Sequence, residues 1–256
     1  MDYNCPLLLV AKYEYLESFQ NGNFFMKNSF CYQELYDKDL QRGDKYDSAI
    51  KCGYDEFEIP QEVKECAKNP RILSGDSFIK CFFEYSLYDA KLLPNKQIAY
   101  HIPLKSQEAL LSFDEEYALL VDKQEMINLF IKACEKENYK GYYGNVEYIE
   151  DADYERIILS IKDSFKNKTY DSVKHPTLIK NVKYKAQQEF RFCVSKKLTV
   201  KSIENTSLNK VSYKDSIILK IDGLNKISTI VKLKDIIDTP IIYDIEKDEL
   251  FIYCSE

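Results

Sequence analysis

The sequence has little glycine, proline and histidine and no tryptophan. Its 256 residues include no Trp, seven Gly, seven Pro and two His. So little Gly and Pro argues against long flexible linkers between separate units. The eight Cys residues form no C-x-x-C pair, whereas a zinc site needs closely spaced ligands because four of them converge on one ion. We therefore expect no metal site.

The sequence also lacks a long hydrophobic stretch. Leu7–Val10 is a four-residue apolar run, which is too short for the core of a signal peptide. No segment approaches the roughly 20 apolar residues that cross a membrane. Several cysteines lie within apolar runs, as Cys81 does beside Phe82, and this is typical of small buried thiols. These features predict a cytoplasmic protein with reduced cysteines and no membrane segment.

Charge and motif content do not favour general nucleic-acid binding. Lys and Arg total 36 against 42 Asp and Glu, a net charge of −6, whereas such proteins depend on a basic surface to neutralise phosphates. A local basic patch is an alternative to a solvated lysine face at Lys174, Lys180, Lys183 and Lys185. One acidic segment has the composition of a metal-dependent nuclease site or of a solvated loop, with Asp37, Asp39, Asp44 and Asp47. The sequence contains no Walker loop, G-x-S-x-G or G-x-G-x-x-G motif.

The remaining composition is that of a folded protein rich in aromatic residues. Hydrophobic residues make up 45% and charged residues 30%, with 21 Tyr and 14 Phe. A chain of this length buries roughly three quarters of its unfolded surface and needs no disulfide or metal to hold a core. Strand-like and helix-like segments mix without regular βαβ units, and no repeat is visible. We predict a single α+β domain over residues 1–256, with a mixed, mostly antiparallel sheet and peripheral helices. The pattern becomes mostly β from about residue 187, where a β-rich C-terminal subdomain is an alternative.

Hydrophobic periodicity, turn residues and caps predict the individual elements. The predicted strands are residues 7–11, 24–26, 77–84, 117–121, 146–149, 198–203, 217–221, 227–233, 241–245 and 250–253. The predicted helices are residues 14–20, a turn after Ser29, residues 61–68, a long helix capped by Asp122, and residues 154–165. Residues 37–55 are predicted to form a polar surface loop.

The segment after residue 187 carries the most informative pattern. Phe190, Phe192 and Val194 alternate with charged or small residues, so one strand places the two sets on opposite faces. Glu189 and Arg191 then share a face, where they form part of a polar cleft or pair with each other. The alternative is a solvent-facing ion pair, which would stabilise the fold little.

Gln187-Gln188-Glu189 at the start of this strand resembles the Gln-x-Glu motif of one branch of the ADP-ribosyltransferases. The resemblance implies that Glu189 steadies the ribose and the developing positive charge as nicotinamide leaves. It implies that Gln187 engages the acceptor. Arg191 would pair with a phosphate or with Glu189. This chemistry needs a fixed carboxylate beside an electron-poor sugar carbon.

The N-terminal segment resembles the opening of certain bacterial and phage proteins whose late strand is similar to residues 184–191. Their pattern of strand, helix, strand, aromatic helix and Gly-Asp loop matches the opening of an ADP-ribosyltransferase-like fold. The resemblance implies NAD as the cofactor, with Lys12, Tyr13 and Tyr32 at the cofactor-binding positions. Two features depart from the family. Lys12 stands where the transferases have His or Arg, and Ser74 and Ser77 replace a Ser-Thr-Ser motif.

Two functional hypotheses follow. The first is an NAD-dependent ADP-ribosyltransferase-like enzyme that modifies a host macromolecule. The second is a non-catalytic, phage-encoded protein that inhibits or redirects a host or defence protein. The acidic balance and the many tyrosines fit the second hypothesis, because Tyr is enriched at recognition surfaces.

Overall fold

The structure, a computed structural model, describes residues 6–28, 31, 77–84, 90–150, 178–195, 216–247 and 249–252. The strands within these residues are β1 (Leu7–Val10), β2 (Asn23–Asn28), β3 (Ser77–Glu84), β4 (Ala90–Leu93), β5 (Gln97–Tyr100), β6 (Tyr117–Val121), β7 (Lys140–Asn145), β8 (Glu147–Ile149), β9 (Ile179–Asn181), β10 (Glu189–Ser195), β11 (Ser216–Lys220), β12 (Ser228–Lys232), β13 (Ile241–Asp244) and β14 (Glu249–Ile252). The helices are α1 (Tyr13–Gln20), α2 (Leu104–Leu111), α3 (Lys123–Lys136) and α4 (Leu233–Asp238), with 3₁₀ helices at Val182–Gln187 and Leu224–Lys226.

Strand β3 is the branch point of an eight-stranded sheet. One edge of β3 pairs with β10 from Phe83 opposite Glu189 to Ser77 opposite Ser195, and β10 continues to β7. The other edge pairs with β2 at residues 78–79 and with β1 at residues 83–84. The sheet therefore divides into one branch of β2 and β11 and another of β1, β6 and β12. All of these pairings are antiparallel, and α1 connects the two branches.

An aromatic core covers one face of this sheet, called here the aromatic face. Strand alternation places Phe82 of β3 and Phe192 of β10 on this face. Their ring centroids are 5.7 Å apart, and the ring of Phe130 from α3 stands 4.9 Å from Phe192. Phe19 of α1 reaches within 6.1 Å of Phe82. Helices α1 and α3 therefore bury the aromatic face over the branch point.

A second core joins the opposite face to a smaller sheet of strands β14, β13, β5 and β4. Leu8 and Leu120 of the large sheet belong to the same buried cluster as Tyr100 and Ile241 of the small one. Helices α2 and α4 add apolar side chains to this cluster. Strands β8 and β9 form a separate parallel pair. These observations confirm the predicted α+β class with mostly antiparallel sheets.

The segments with the strongest sequence signals fold as predicted. Strands β3 and β6 have the predicted bounds. Helix α3 begins after Asp122, whose Oδ1 accepts a hydrogen bond from Glu125 N at 2.8 Å and satisfies an otherwise unpaired helical donor. Helix α1 ends before Gly22, which takes the left-handed conformation with φ +85°.

Other elements differ from the predictions. The pattern does not predict β4, β5, β9 or α4, which are short, β7, whose glycines weaken the strand signal, or α2. The predicted strand over residues 227–233 ends at Lys232, and α4 follows it directly. The predictions for the residues after Ser29, for loop 37–55 with its aspartates, and for segments 61–68, 154–165 and 198–203 lie outside the described residues. Within the part of the chain that the structure describes, no helix is both long and apolar enough to cross a membrane.

We expect Gly141→Ala to lower the free energy of unfolding by about 1–3 kcal/mol, because strand β7 passes too close to α3 for a side chain. A Cβ at Gly141 would stand 2.6 Å from Cys134 Sγ and 3.1 Å from Phe130 Cε1. Urea denaturation of both proteins measures the difference. In the double variant with Cys134→Ala the nearest atom is removed, so its loss of stability should be smaller than the sum of the two single losses. Strict additivity would contradict this close approach.

Candidate functional site

The chain enters β10 through a sharp local turn. The 3₁₀ helix at Val182–Gln187 is followed by Gln188, which takes the left-handed conformation with φ 42° and ψ 56°. This conformation costs a non-glycine residue roughly 1–2 kcal/mol, and two backbone hydrogen bonds fix it here. Gln188 N donates to Lys185 O at 3.2 Å, and Gln188 O accepts from Glu84 N at 2.8 Å. The turn places Gln187 and Glu189 beside the same neighbouring side chain.

The carboxylate of Glu189 lies between two cations. Lys180 Nζ donates to Glu189 Oε1 at 2.5 Å, and Arg191 Nε donates to Glu189 Oε2 at 2.8 Å. The ammonium of Lys180 also donates to Gln187 Oε1 at 2.8 Å. All four side chains are buried, and Arg191 is fully inaccessible. We call these residues, Lys180, Gln187, Glu189 and Arg191, the Glu189 cluster.

The two cations determine the protonation of Glu189. Burial by itself would raise the pKa of this carboxyl group. The charges of Arg191 and Lys180, with the hydrogen bonds that they donate, outweigh burial and hold the pKa at about 2. Glu189 is therefore ionised at every pH at which a protein normally works. A permanently ionised carboxylate can stabilise positive charge, but it cannot act as a general acid near neutral pH.

The backbone around Glu189 is fixed by neighbours on both sides. Glu189 N donates to the hydroxyl oxygen of Tyr148 at 2.8 Å, and Glu189 O accepts from Val146 N at 2.9 Å. Burial raises the pKa of Tyr148, and the nearby negative charge of Glu189 adds to this effect. Helix α2 holds the preceding turn, because Ser106 Oγ donates to Ala186 O at 3.0 Å. The carboxylate thus projects from a rigid backbone.

The structure brings together three of the six predicted site residues. Gln187, Glu189 and Arg191 meet in the Glu189 cluster, whereas Lys12 and Tyr13 lie at the start of α1 and are exposed. Leu8 of β1 and Glu189 of β10 both pair with Phe83 of β3, on its two opposite edges. Lys12 follows Leu8 by four residues, so it lies two strands away from Glu189 and beyond the end of β1. Tyr13 packs its ring against Tyr117 at a centroid distance of 5.2 Å. Tyr32 lies outside the described residues.

Three details of the sequence predictions are corrected. The Glu189–Arg191 pair is buried, so the solvent-facing alternative is wrong; the strand face that carries both residues is covered by Lys180 and its neighbours. Lys180 does not belong to a solvated lysine face or a basic patch, because its ammonium is enclosed by Gln187 and Glu189. Gln187 ends a 3₁₀ helix and does not lie in the strand.

Sequence reasoning missed Lys180 and Tyr148 as parts of this site. Tyr148 is 41 residues from Glu189 in the chain, and Lys180, nine residues away, lies in a separate short strand. Neither residue belongs to a recognisable motif. A weak signal was the position of Lys180 directly after Ile179, where a short strand buries both side chains.

Comparison with known proteins identifies no relative of this chain. No family model, no curated protein and no solved structure matches this chain. Among the described residues, no group of three or more His, Cys, Asp or Glu side chains is placed to hold a metal ion. The resemblance to ADP-ribosyltransferases therefore stays a prediction from the sequence.

Because the pKa of Glu189 is depressed in the folded state, its contribution to stability is present above its ordinary pKa of 4.5 and is lost as the pH falls toward 2. At pH 6 we expect Glu189→Gln to lower the free energy of unfolding by about 3–5 kcal/mol, since two buried cations lose their carboxylate. This difference should shrink as the pH falls from about 5 to about 2. Urea denaturation at several pH values measures it.

Glu246→Gln is the matched control, because Glu246 pairs with Lys96 on the exposed surface. Its effect on the free energy of unfolding should stay below about 1 kcal/mol. A difference between wild type and Glu189→Gln that does not change with pH would contradict the ionised buried cluster.

Proposed function

We propose that this chain is an NAD-dependent ADP-ribosyltransferase-like enzyme that uses Glu189 as its essential carboxylate. The observation that carries the proposal is the meeting of Gln187 and Glu189, the two motif positions, on one buried ammonium. The carboxylate is ionised and held on a rigid strand. Such a fixed negative charge suits a reaction in which positive charge develops on a sugar carbon, because a preorganised group needs no reorganisation as the charge forms.

The residues at the site fit NAD in part. Glu189 offers a fixed anion for a ribose hydroxyl, but each of its oxygens already accepts a hydrogen bond from a cation. Lys180 is the cation that can release Glu189 Oε1 to a ligand, because its ammonium would still donate a hydrogen bond to Gln187 Oε1. Lys12 and Tyr13 are exposed at the start of α1, two strands away from Glu189, so they are not placed to hold a nicotinamide whose ribose lies at that carboxylate. When bound, NAD would supply the ADP-ribosyl group for transfer to the acceptor.

The decisive experiment measures transfer of label from labelled NAD to macromolecules of a bacterial lysate. Wild type should transfer label, and Glu189→Gln should lower the rate by about 10²-fold or more, as for other lost electrostatic groups. The matched control is the double variant Lys180→Met with Glu189→Gln. It removes one cation together with the carboxylate, so we expect it to regain stability without regaining transfer.

Two outcomes would contradict the enzyme proposal. One is a well-folded wild type that neither binds NAD nor transfers label. The other is a double variant that regains transfer along with stability, because Glu189 would then matter only for folding.

A second candidate function, binding a protein partner without catalysis, is favoured by one surface. Among the described strands, only β2 pairs with β11, which leaves the outer edge of β11 facing no other described strand. Phe25 and Ile218 lie directly opposite each other across the two strands and are 45% and 56% exposed. An extended segment of a host or defence protein could add to this edge, with main-chain hydrogen bonds for affinity and the apolar pair for side-chain contact.

Ile218→Asp tests the second candidate, because a charge in the centre of this edge opposes an apolar partner. Affinity capture from host lysate should yield a partner with wild type and lose it with Ile218→Asp. Leu104→Asp is the matched control, since Leu104 is 76% exposed on α2, and it should keep the partner. Capture that survives Ile218→Asp would exclude this edge as the binding surface.

A further inference from the structure

A groove opens at one end of the small sheet, beside the turn that joins β4 to β5. It has a volume of about 490 Å³, which lies in the range of roughly 300–1,000 Å³ that small-molecule sites occupy. It is an open groove and not an enclosed cavity, and four of the five described residues that line it are apolar: Leu92, Leu93, Pro94, Lys96 and Ile245. None of them belongs to the Glu189 cluster, so a ligand here is independent of the proposed transferase activity.

Two of the lining side chains present apolar surface to solvent. Leu92 of β4 is 64% exposed, and Ile245, which directly follows β13, is 38% exposed. Strands β4 and β13 lie on the two sides of β5. Ile245 N donates to Lys96 O at 3.1 Å, and this hydrogen bond holds the turn against the end of β13. A ligand that covers these side chains is stabilised, because apolar surface leaves water.

The groove also has one charge of each sign at its rim. Lys96 Nζ lies 2.7 Å from Glu246 Oε1, and both side chains are exposed. An exposed ion pair stabilises little, so the two groups can part and each take a new partner at small cost. The neighbouring carboxylate of Asp244 is buried and already accepts hydrogen bonds from Gln97 and from two backbone N–H groups, with Lys247 at 3.8 Å. Lys96 and Glu246 are therefore the charges that a ligand would meet.

These two charges decide which ligand the groove suits. A molecule with a carboxylate alone would be attracted by Lys96 but repelled by Glu246, and one with an ammonium alone would meet the reverse. A molecule that carries both groups beside an apolar body complements both charges and the apolar walls. We propose that the groove binds a free apolar amino acid as its zwitterion. Its carboxylate pairs with Lys96 and its ammonium with Glu246. Its side chain lies against Leu92 and Ile245.

The test titrates the full-length chain with L-leucine and with two matched ligands, 4-methylpentanoate and 3-methylbutylamine, which have the same apolar end but one charge each. NMR shifts of the backbone amides of Lys96 and Ile245 report binding. L-leucine should bind with a Kd on the order of 1 mM, as suits a small ligand in an open groove. Each matched ligand should bind at least about threefold more weakly, because it leaves one rim charge unmatched.

Two results of this titration would overturn the proposal. One is the absence of shifts at a concentration of L-leucine roughly ten times that Kd. The other is equal affinity for L-leucine and either matched ligand, because one of the two rim charges would then contribute nothing.

Three variants locate the site. Glu246→Gln should remove the preference for L-leucine over 4-methylpentanoate, and Lys96→Asn should remove the preference over 3-methylbutylamine. Lys96 takes the left-handed conformation with φ 57°, which asparagine tolerates better than lysine, so this variant should keep the fold. Leu92→Asn should weaken the binding of L-leucine at least about threefold, because the ligand then covers less apolar surface.

Leu111→Asn is the matched control for Leu92→Asn. Leu111 is exposed on α2 and is not among the described residues that line the groove, so this variant should bind L-leucine as wild type does. Circular dichroism checks that each variant keeps its fold. Preferences that stay unchanged in both rim variants, or equal weakening by Leu92→Asn and Leu111→Asn, would contradict binding in this groove.

Discussion

The register between β3 and β10 is the constraint on which the described fold depends. Its seven residue pairs align Phe82 with Phe190 and Phe83 with Glu189, and this alignment decides which side chains meet on each face. A slip of one residue would exchange the two faces of β10 and bury Glu189 and Arg191 among the rings. The register is strongly specified, because the aromatic residues of one face and the charged residues of the other cannot exchange environments. Helix α3 and the Glu189 cluster both rely on it.

The Glu189 cluster shows how a charged group is tolerated in the interior. Desolvation makes a single buried charge very unfavourable, and a buried ion pair roughly offsets that cost only with good geometry. Here Lys180 and Arg191 each donate to a different oxygen of Glu189, and Gln187 accepts from the same ammonium. The arrangement fixes the geometry of the cluster more than it stabilises the fold. A rigid, ionised carboxylate is also what the proposed transfer chemistry requires, so positional specificity and function are compatible here.

Local signals explain what the sequence could predict. The apolar and aromatic residues of β3 and β6, the cap at Asp122 and the Gly22 stop each act within a few residues, and each was predicted. The shared face of Glu189 and Arg191 follows from strand periodicity alone. Lys180 and Tyr148 could not be found in this way, because their contacts with Glu189 depend on how β8, β9 and the 3₁₀ helix pack. Strand β7 is not predicted because its two glycines weaken the strand signal, and one of them, Gly141, is required by the close approach of α3.

Three lysines on or beside this sheet, Lys80 in β3, Lys180 in β9 and Lys123 in α3, differ in how their charge is matched. Lys180 and Lys123 each stand beside a carboxylate, so their burial fits the rule that interior charges are paired. Lys80 lies on the aromatic face with Phe78, Phe82 and Phe192, is only partly buried, and has no carboxylate partner among the described residues. The two faces of the sheet at β3 therefore differ in how the charges on them are matched. The face with Glu189 holds a buried charge that its neighbours match, and the aromatic face holds a lysine whose remaining exposure to solvent is compatible with having no such match.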